Sequence, residues 1–97
     1  MRTDGVVEKE VEIVNRLGLH ARAAAKLVHL ANRFEADVWL AHDGEEVDAK
    51  SILGILLLAA AQGSAVRLRC SGSDEEEALR ALSELIEGGF DEEAGAP

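Results

Sequence analysis

Three segments of the chain have the side-chain alternation that is typical of strands with one buried face. Val7–Ile13 carries a glutamate at every second position, and Ala65–Cys70 carries Arg67 and Arg69 on one side. Asp37–His42 places Val38 and Leu40 on one face and Trp39 and Ala41 on the other. If the first two segments are antiparallel neighbours, their arginines and glutamates can lie opposite each other across the sheet.

A fourth strand is predicted immediately after the third, because Asp43-Gly44 is a strong signal for a two-residue hairpin. Glu45–Ala49 would then be a short return strand. The acidic and basic alternate positions predict that one face of the sheet lies against a core and the other faces water.

Three segments between and after these strands predict helices. Ala21–Asn32 has apolar residues at helical spacing, and Ser51–Ala61 is apolar on nearly all sides. A third helix is predicted to start at Ser73, with Glu76 completing a capping box, and to end at Gly88-Gly89.

The element order is therefore βαββαβα, an α/β (α+β) arrangement. We predict an open-faced β-sandwich in which a four-stranded antiparallel sheet is covered on one face by three helices. Residues 1–90 would form one domain, and residues 91–97 a flexible acidic C-terminal tail, with fraying expected from Phe90 onward.

Composition and charge argue against several classes of function. The chain has 97 residues and a net charge of −9, which argues against general binding of nucleic acid or anionic membranes. Aromatic residues make up 3 %, too few for a sheet that reads RNA by stacking. Cys70 is the single cysteine, so no intrachain disulfide is possible.

Targeting, membrane and metal signals are also missing from the sequence. The first twelve residues lack an apolar signal-peptide core, and the longest apolar run, Ile52–Ala61, is about half of the ~20 residues that cross a bilayer. We expect a cytoplasmic protein without membrane insertion. No P-loop and no metal-ligand spacing is present, so we expect no cofactor, no metal and no stand-alone enzyme activity.

The segment Gly18–Ala24 holds the most informative chemistry. His20 lies directly before the predicted first helix, where backbone N–H groups lack helical partners and the helix dipole favours anions. Arg22 adds a full positive charge two residues later. An imidazole, free amides and a guanidinium would converge where a phosphoryl group could be carried, although a histidine before a helix is also an ordinary cap.

The charge map adds a basic region around this histidine. Between Glu12 and Glu35 there is no acidic residue. Basic side chains in or beside the predicted first helix are those of Arg16, Arg22, Lys26, His29 and Arg33. Such a patch on an acidic protein suggests an acidic docking partner, or alternatively a solvated helix face.

The start of the middle helix is the second segment of interest. Ser51 is a predicted N-cap, and Lys50, Ile52 and Leu53 surround it. A helix that is apolar all round must leave part of its surface exposed, so Ile52 and Leu53 are candidates for a hydrophobic docking patch. A buried helix with a plain serine cap is the alternative.

These two segments together resemble the HPr family, the histidine-containing phosphocarriers of the bacterial phosphoenolpyruvate-dependent sugar phosphotransferase system. Asn15–Arg22 is similar to the family's active-site loop, and Lys50–Ile55 is similar to its regulatory-serine motif. The resemblance covers about residues 7–86. It implies the same open-faced sandwich and a monomeric phosphocarrier.

The resemblance also assigns roles and partners. His20 would accept the phosphoryl group on Nδ1 from enzyme I and pass it to enzyme IIA domains. Arg22 and the backbone N–H groups of Ala21 and Arg22 would steady that group, and Ser51 would be the target of an HPr kinase/phosphorylase. The partner surface would consist of Arg16, Lys26, His29, Arg33, Lys50, Ile52 and Leu53.

Two points stay open at this level. A regulatory member of a nitrogen-type or incomplete phosphotransferase system would have the same motifs and would signal instead of serving sugar uptake. Family members usually have proline after the active-site arginine, where this chain has Ala23. Because alanine is a strong helix former, we expect the helix and phosphotransfer to be retained in a slightly less rigid loop.

Overall fold

A four-stranded antiparallel sheet lies under three helices in the part of the chain that the structure describes. The computed structural model describes residues 5–92. The strands are β1 (Val6–Glu12), β2 (Asp37–His42), β3 (Glu45–Asp48) and β4 (Ala65–Ser71), and the helices are α1 (Ala21–Ala31), α2 (Ile52–Leu58) and α3 (Glu75–Glu87). This is the open-faced sandwich that the sequence predicts, so the predicted fold class is confirmed.

The sheet order is β1-β4-β2-β3, which makes β1 and β4 antiparallel neighbours. Their register places Glu8 opposite Arg69 and Glu10 opposite Arg67. Arg69 Nη1 lies 2.6 Å from Glu46 Oε2 on β3. The predicted pairing of arginines and glutamates is confirmed, and these charged side chains line the face of the sheet that lacks helices.

The core lies between the sheet and the helices and is mainly aliphatic. Val66, Leu68 and Cys70 of β4 point into it and are fully or almost fully buried. Aliphatic side chains from α1, α2 and α3 meet them. The largest of these buried side chains are Leu27, Ile55, Leu82 and Ile86.

α2 is shorter than the sequence predicts. It ends at Leu58 rather than Ala61, because Ala59 adopts a left-handed backbone with φ 52° that stops the helical hydrogen bonds. The apolar composition of the segment gives no signal for this stop. No helix within residues 5–92 has the length and apolar character needed to cross a bilayer.

The predicted capping box of α3 at Ser73 and Glu76 is wrong. The N-cap residue is Asp74, and its carboxylate makes no cap hydrogen bond to α3. It accepts the N–H groups of Glu35 and Ala36 at 2.9 and 2.8 Å instead, which joins the start of α3 to the segment before β2. These bonds, that of Glu35 first, hold the pKa of Asp74 below its ordinary value.

The expected fraying from Phe90 is wrong for Phe90 itself. Gly89–Asp91 forms a short 3-10 helix that packs against α1 and α3, and the Phe90 side chain is fully buried. A single aromatic residue after two glycines has no periodic pattern, so the sequence does not predict its burial. Residues 93–97 of the predicted tail lie outside the described residues.

Burial makes Cys70 a poor nucleophile. Removal of the side chain from water raises its pKa to about 11, and the charges of Glu75 and Asp74 add to the effect. At pH 8 we expect iodoacetamide to modify native Cys70 more slowly than an ordinary thiol by a factor of at least about 100, because the reactive thiolate is rare and the buried sulfur is closed to the reagent. Intact mass measured over time checks this, with the protein unfolded in guanidinium chloride as the control. Equal rates in the two states would contradict it.

Candidate phosphoryl-carrying site

The loop before α1 is fixed by hydrogen bonds at both ends. Gly18 has a left-handed φ of 64°, and its N–H donates to the carbonyl of Asn15 at 3.2 Å. The buried Asn15 side chain donates back to the Gly18 carbonyl at 2.8 Å. Leu19 N–H donates to the carbonyl of Ala60, so the loop is also attached to the segment after α2. These contacts fix the position of the backbone directly before His20.

His20 is the N-cap residue of α1. Its backbone is extended, and its carbonyl accepts the N–H of Ala24 at 2.8 Å, the first hydrogen bond of the helix. Its Nδ1 accepts the backbone N–H of Arg22 at 3.2 Å. The first turn of α1 contains no acidic residue, so the amide groups there favour an anion.

The other ring nitrogen of His20 contacts a carboxylate that the sequence did not predict. Nε2 makes a hydrogen bond to Glu92, and Asn15 Nδ2 lies 3.3 Å from both carboxylate oxygens of Glu92. The side chains of His20 and Glu92 are largely buried, with exposed fractions of 25 % and 21 %. The bond with His20, helped by Asn15 and by the charge of Lys26, holds the pKa of Glu92 below its ordinary value. Glu92 is therefore an anion at neutral pH.

The segment that carries Glu92 is attached to α1. Lys26 Nζ donates to the carbonyl of Phe90 at 2.6 Å, while the Phe90 ring lies in the core. Together these contacts place Glu92 at the start of α1. No sequence pattern indicates that Glu92 contacts His20, because 72 residues separate the two along the chain.

The predicted basic residues divide into two groups. Four of them have exposed side chains in the loop or along α1, namely Arg16, Arg22, His29 and Arg33. The two lysines are half-buried and donate to backbone carbonyls. Lys26 donates to Phe90, and Lys50 donates to Phe34 at 2.9 Å. The charge that is fully open to a partner is thus carried mainly by the first group.

Ser51 is the N-cap of α2, as predicted. Its Oγ accepts the N–H of Gly54 at 3.1 Å. Ile52 and Leu53 are exposed, which agrees with the proposed patch, but the structure adds three leucines to it. We call the exposed side chains of Leu17, Ile52, Leu53, Leu56 and Leu57 the leucine patch; they are 37–69 % exposed. Leu17 lies in the loop before α1 that carries His20, which we call the histidine loop, and the other four residues lie in α2.

A solved structure and a family model identify the class of protein to which this fold and this loop belong. A crystal structure of HPr from Thermoanaerobacter tengcongensis matches with a TM-score of 0.86 and 48 % identity, over 90 % of this chain and 98 % of that one. Residues 7–88 match the family model described as "PTS HPr component phosphorylation site". The fold and the histidine loop are those of a phosphocarrier protein.

Curated relatives agree over nearly their full length. The phosphocarrier protein HPr of Xylella fastidiosa strain Temecula1 is 50 % identical over 91 % of this chain and 99 % of its own. The phosphocarrier protein NPr of Proteus mirabilis is 46 % identical over 88 % of this chain and 96 % of its own. This chain belongs to the HPr family, as the resemblance of its two motifs indicates. Glu92 lies beyond the residues that the family model matches.

The departure at Ala23 leaves the helix intact. Ala23 is fully buried in the first turn of α1, which begins at Ala21. Alanine therefore fills the position without a break in the helix, in agreement with its high helix propensity.

Proposed function

We propose that His20 accepts a phosphoryl group on Nδ1 from enzyme I and passes it to enzyme IIA domains. The observation that carries this proposal is the contact of Nδ1 with the Arg22 amide at the start of α1. An incoming phosphoryl group on Nδ1 would take over that amide, and the helix N-terminus would stabilise its negative charge. The exposed Arg22 side chain can fold over the group from solvent.

A neutral imidazole suits a carrier rather than a hydrolase. Its ring nitrogen is nucleophilic near neutral pH, and the resulting phosphoramidate is reactive enough to be handed on. The site uses positioning and charge stabilisation, which are the main requirements of phosphoryl transfer.

The partner surface combines charge with an apolar area. Exposed Arg16, Arg22, His29 and Arg33 would attract an acidic partner, and the leucine patch would supply the apolar contact. Lys26 and Lys50 contribute less to docking than the sequence suggests, because their ammonium groups already serve backbone carbonyls.

Ser51 is the proposed regulatory site, phosphorylated by an HPr kinase/phosphorylase. It lies beside Ile52 and Leu53 of the leucine patch, so a phosphate there would add negative charge to the docking surface and repel an acidic partner. This effect would link the serine to the histidine chemistry through the shared partner.

A two-donor phosphorylation assay tests both sites. With phosphoenolpyruvate and enzyme I, we expect an acid-labile, base-stable phosphate that His20→Ala abolishes and His42→Ala keeps. With ATP and the kinase, we expect a phosphate that Ser51→Ala abolishes and Ser73→Ala keeps. His42 and Ser73 are matched controls, because each is a residue of the same type that lies outside the proposed partner surface.

Failure of each arm has a separate meaning. If no phosphate appears, or if it persists in His20→Ala, the carrier function is rejected. If only the ATP arm fails, the regulatory role of Ser51 is rejected. Transfer from the phosphorylated protein to a sugar-specific enzyme IIA domain then separates sugar uptake from a purely regulatory role, since only the former requires that transfer.

A further inference from the structure

Glu92 and the helix N-terminus contact opposite nitrogens of the same imidazole ring. Nδ1 accepts the Arg22 N–H, and Nε2 makes its hydrogen bond with the Glu92 carboxylate. A nitrogen that accepts an N–H has its lone pair in the ring plane, so a neutral ring must carry its proton on Nε2. Nε2 then donates to Glu92, which as an anion can only accept.

We propose that Glu92 is a positioning residue for His20: it holds the proton on Nε2 and thereby keeps the Nδ1 lone pair directed at the start of α1. This inference rests on the proposed carrier function and extends it to a residue outside the range that the family model matches. Asn15 and Lys26 support the arrangement, the first by donating to Glu92 and the second by anchoring the Phe90 carbonyl.

The same contact acts during phosphoryl transfer. The Nδ1 lone pair forms the new bond to phosphorus while the bond from phosphorus to the donor's leaving atom breaks, and the electron pair of the broken bond stays with that atom. The His20 ring then carries a positive charge together with its Nε2 proton. The Glu92 carboxylate faces that charge and stabilises it, in the way that a carboxylate orients and supports a catalytic histidine.

Glu92 does not occupy the place of the phosphoryl group. Its carboxylate lies on the Nε2 edge of the ring, whereas the Arg22 amide lies on the Nδ1 edge. If Glu92 acted mainly as an electrostatic shield against incoming phosphate, its removal would accelerate phosphorylation. The geometry favours the opposite result.

Three variants separate these effects. Glu92→Ala removes both the acceptor and the charge, Glu92→Gln keeps an acceptor oxygen without the charge, and Glu92→Asp keeps the charge on a shorter side chain. Asp91→Asn is the matched control, because it removes one negative charge from the exposed neighbouring residue. All are made in the full chain.

The first measurement uses the unphosphorylated protein. Nitrogen-15 chemical shifts of the His20 ring report which nitrogen carries the proton. We expect the Nε2–H form to predominate in the natural protein and in Asp91→Asn. In Glu92→Ala, where only the Arg22 amide still favours that form, we expect a larger share of the Nδ1–H tautomer. An unchanged tautomer ratio in Glu92→Ala would overturn the proposal, whatever the phosphorylation assay shows.

The second measurement is the initial rate of phosphorylation by enzyme I. We expect Glu92→Ala to be roughly ten- to a hundredfold slower, the effect of losing one charge-assisted hydrogen bond. Glu92→Gln should fall between Glu92→Ala and the natural protein, Glu92→Asp should recover part of the rate, and Asp91→Asn should match the natural protein. A Glu92→Ala rate equal to or above the natural rate would overturn the proposal.

Failure of the proposed function gives a different pattern. If the natural protein takes no phosphate, the carrier function fails, while the nitrogen-15 shifts still decide whether Glu92 sets the tautomer. If the natural protein is phosphorylated and the Glu92 variants match it in rate and tautomer, only the positioning role fails.

Discussion

Gly18→Ala is expected to destabilise the protein by about 2–5 kcal/mol, the sum of a left-handed backbone for alanine and a steric clash. An added Cβ would lie 2.5 Å from the Ala60 carbonyl oxygen and 3.0 Å from the Ala61 Cα. Both are backbone atoms, so the loop itself must shift. Chemical denaturation monitored by circular dichroism measures the loss.

Gly63→Ala is the matched control for this prediction. Gly63 also has a positive φ, 91°, but its added Cβ would meet no atom within 4 Å. We expect a loss of about 1–2 kcal/mol from the backbone alone. If the two variants lose the same stability, the close approach of Gly18 to Ala60 does not restrict the loop.

The Gly18 variant should also impair the site. Gly18 accepts from Asn15 and lies two residues before His20, so a displaced loop changes the direction of the imidazole. We therefore expect slower phosphorylation of Gly18→Ala by enzyme I even under conditions where it remains folded.

Phe90→Ala is expected to cost about 3–5 kcal/mol, the usual effect of removing a fully buried phenylalanine. Phe90 is 0 % exposed and lies where α1, α3 and the chain after α3 meet. A small domain is stable by only about 5–15 kcal/mol, so this single change removes a large part of the total. The midpoint of denaturation provides the measurement.

Phe34→Ala is the control for Phe90. Phe34 is the other phenylalanine of the chain and is half-buried, so its removal should cost less. In folded Phe90→Ala, Glu92 loses the support of the 3-10 helix, and the His20 tautomer mixture should approach that of Glu92→Ala. Equal losses in the two phenylalanine variants would show that the C-terminal segment is only loosely attached.

The fold was predictable because its signals are local. Alternation in β1 and β4, the Asp43-Gly44 turn and the apolar periodicity of α1 each lie within a few neighbouring residues. The errors lie where tertiary contacts decide. Asp74 bonds to the segment before β2 instead of capping α3, and Ala59 ends α2 through a backbone angle that its side chain does not encode.

The residues of the site also differ in whether local sequence predicts them. His20 and Ser51 are recognisable because a helix start follows each of them directly in the sequence. Glu92 is not, since it contacts His20 only when distant parts of the chain come together. One acidic residue in an acidic stretch carries no pattern that distinguishes it from its neighbours.

Within residues 5–92, the order of the strands leaves β1 and β3 with unpaired outer edges. Exposed charged side chains occupy both, among them Glu8 and Glu10 on β1 and Glu45 and Glu46 on β3. A strand from another copy of the chain that extended the sheet would place further carboxylates beside these, and the repulsion between like charges opposes that pairing. The charged side chains of the open face thus also oppose extension of the sheet at its two outer strands.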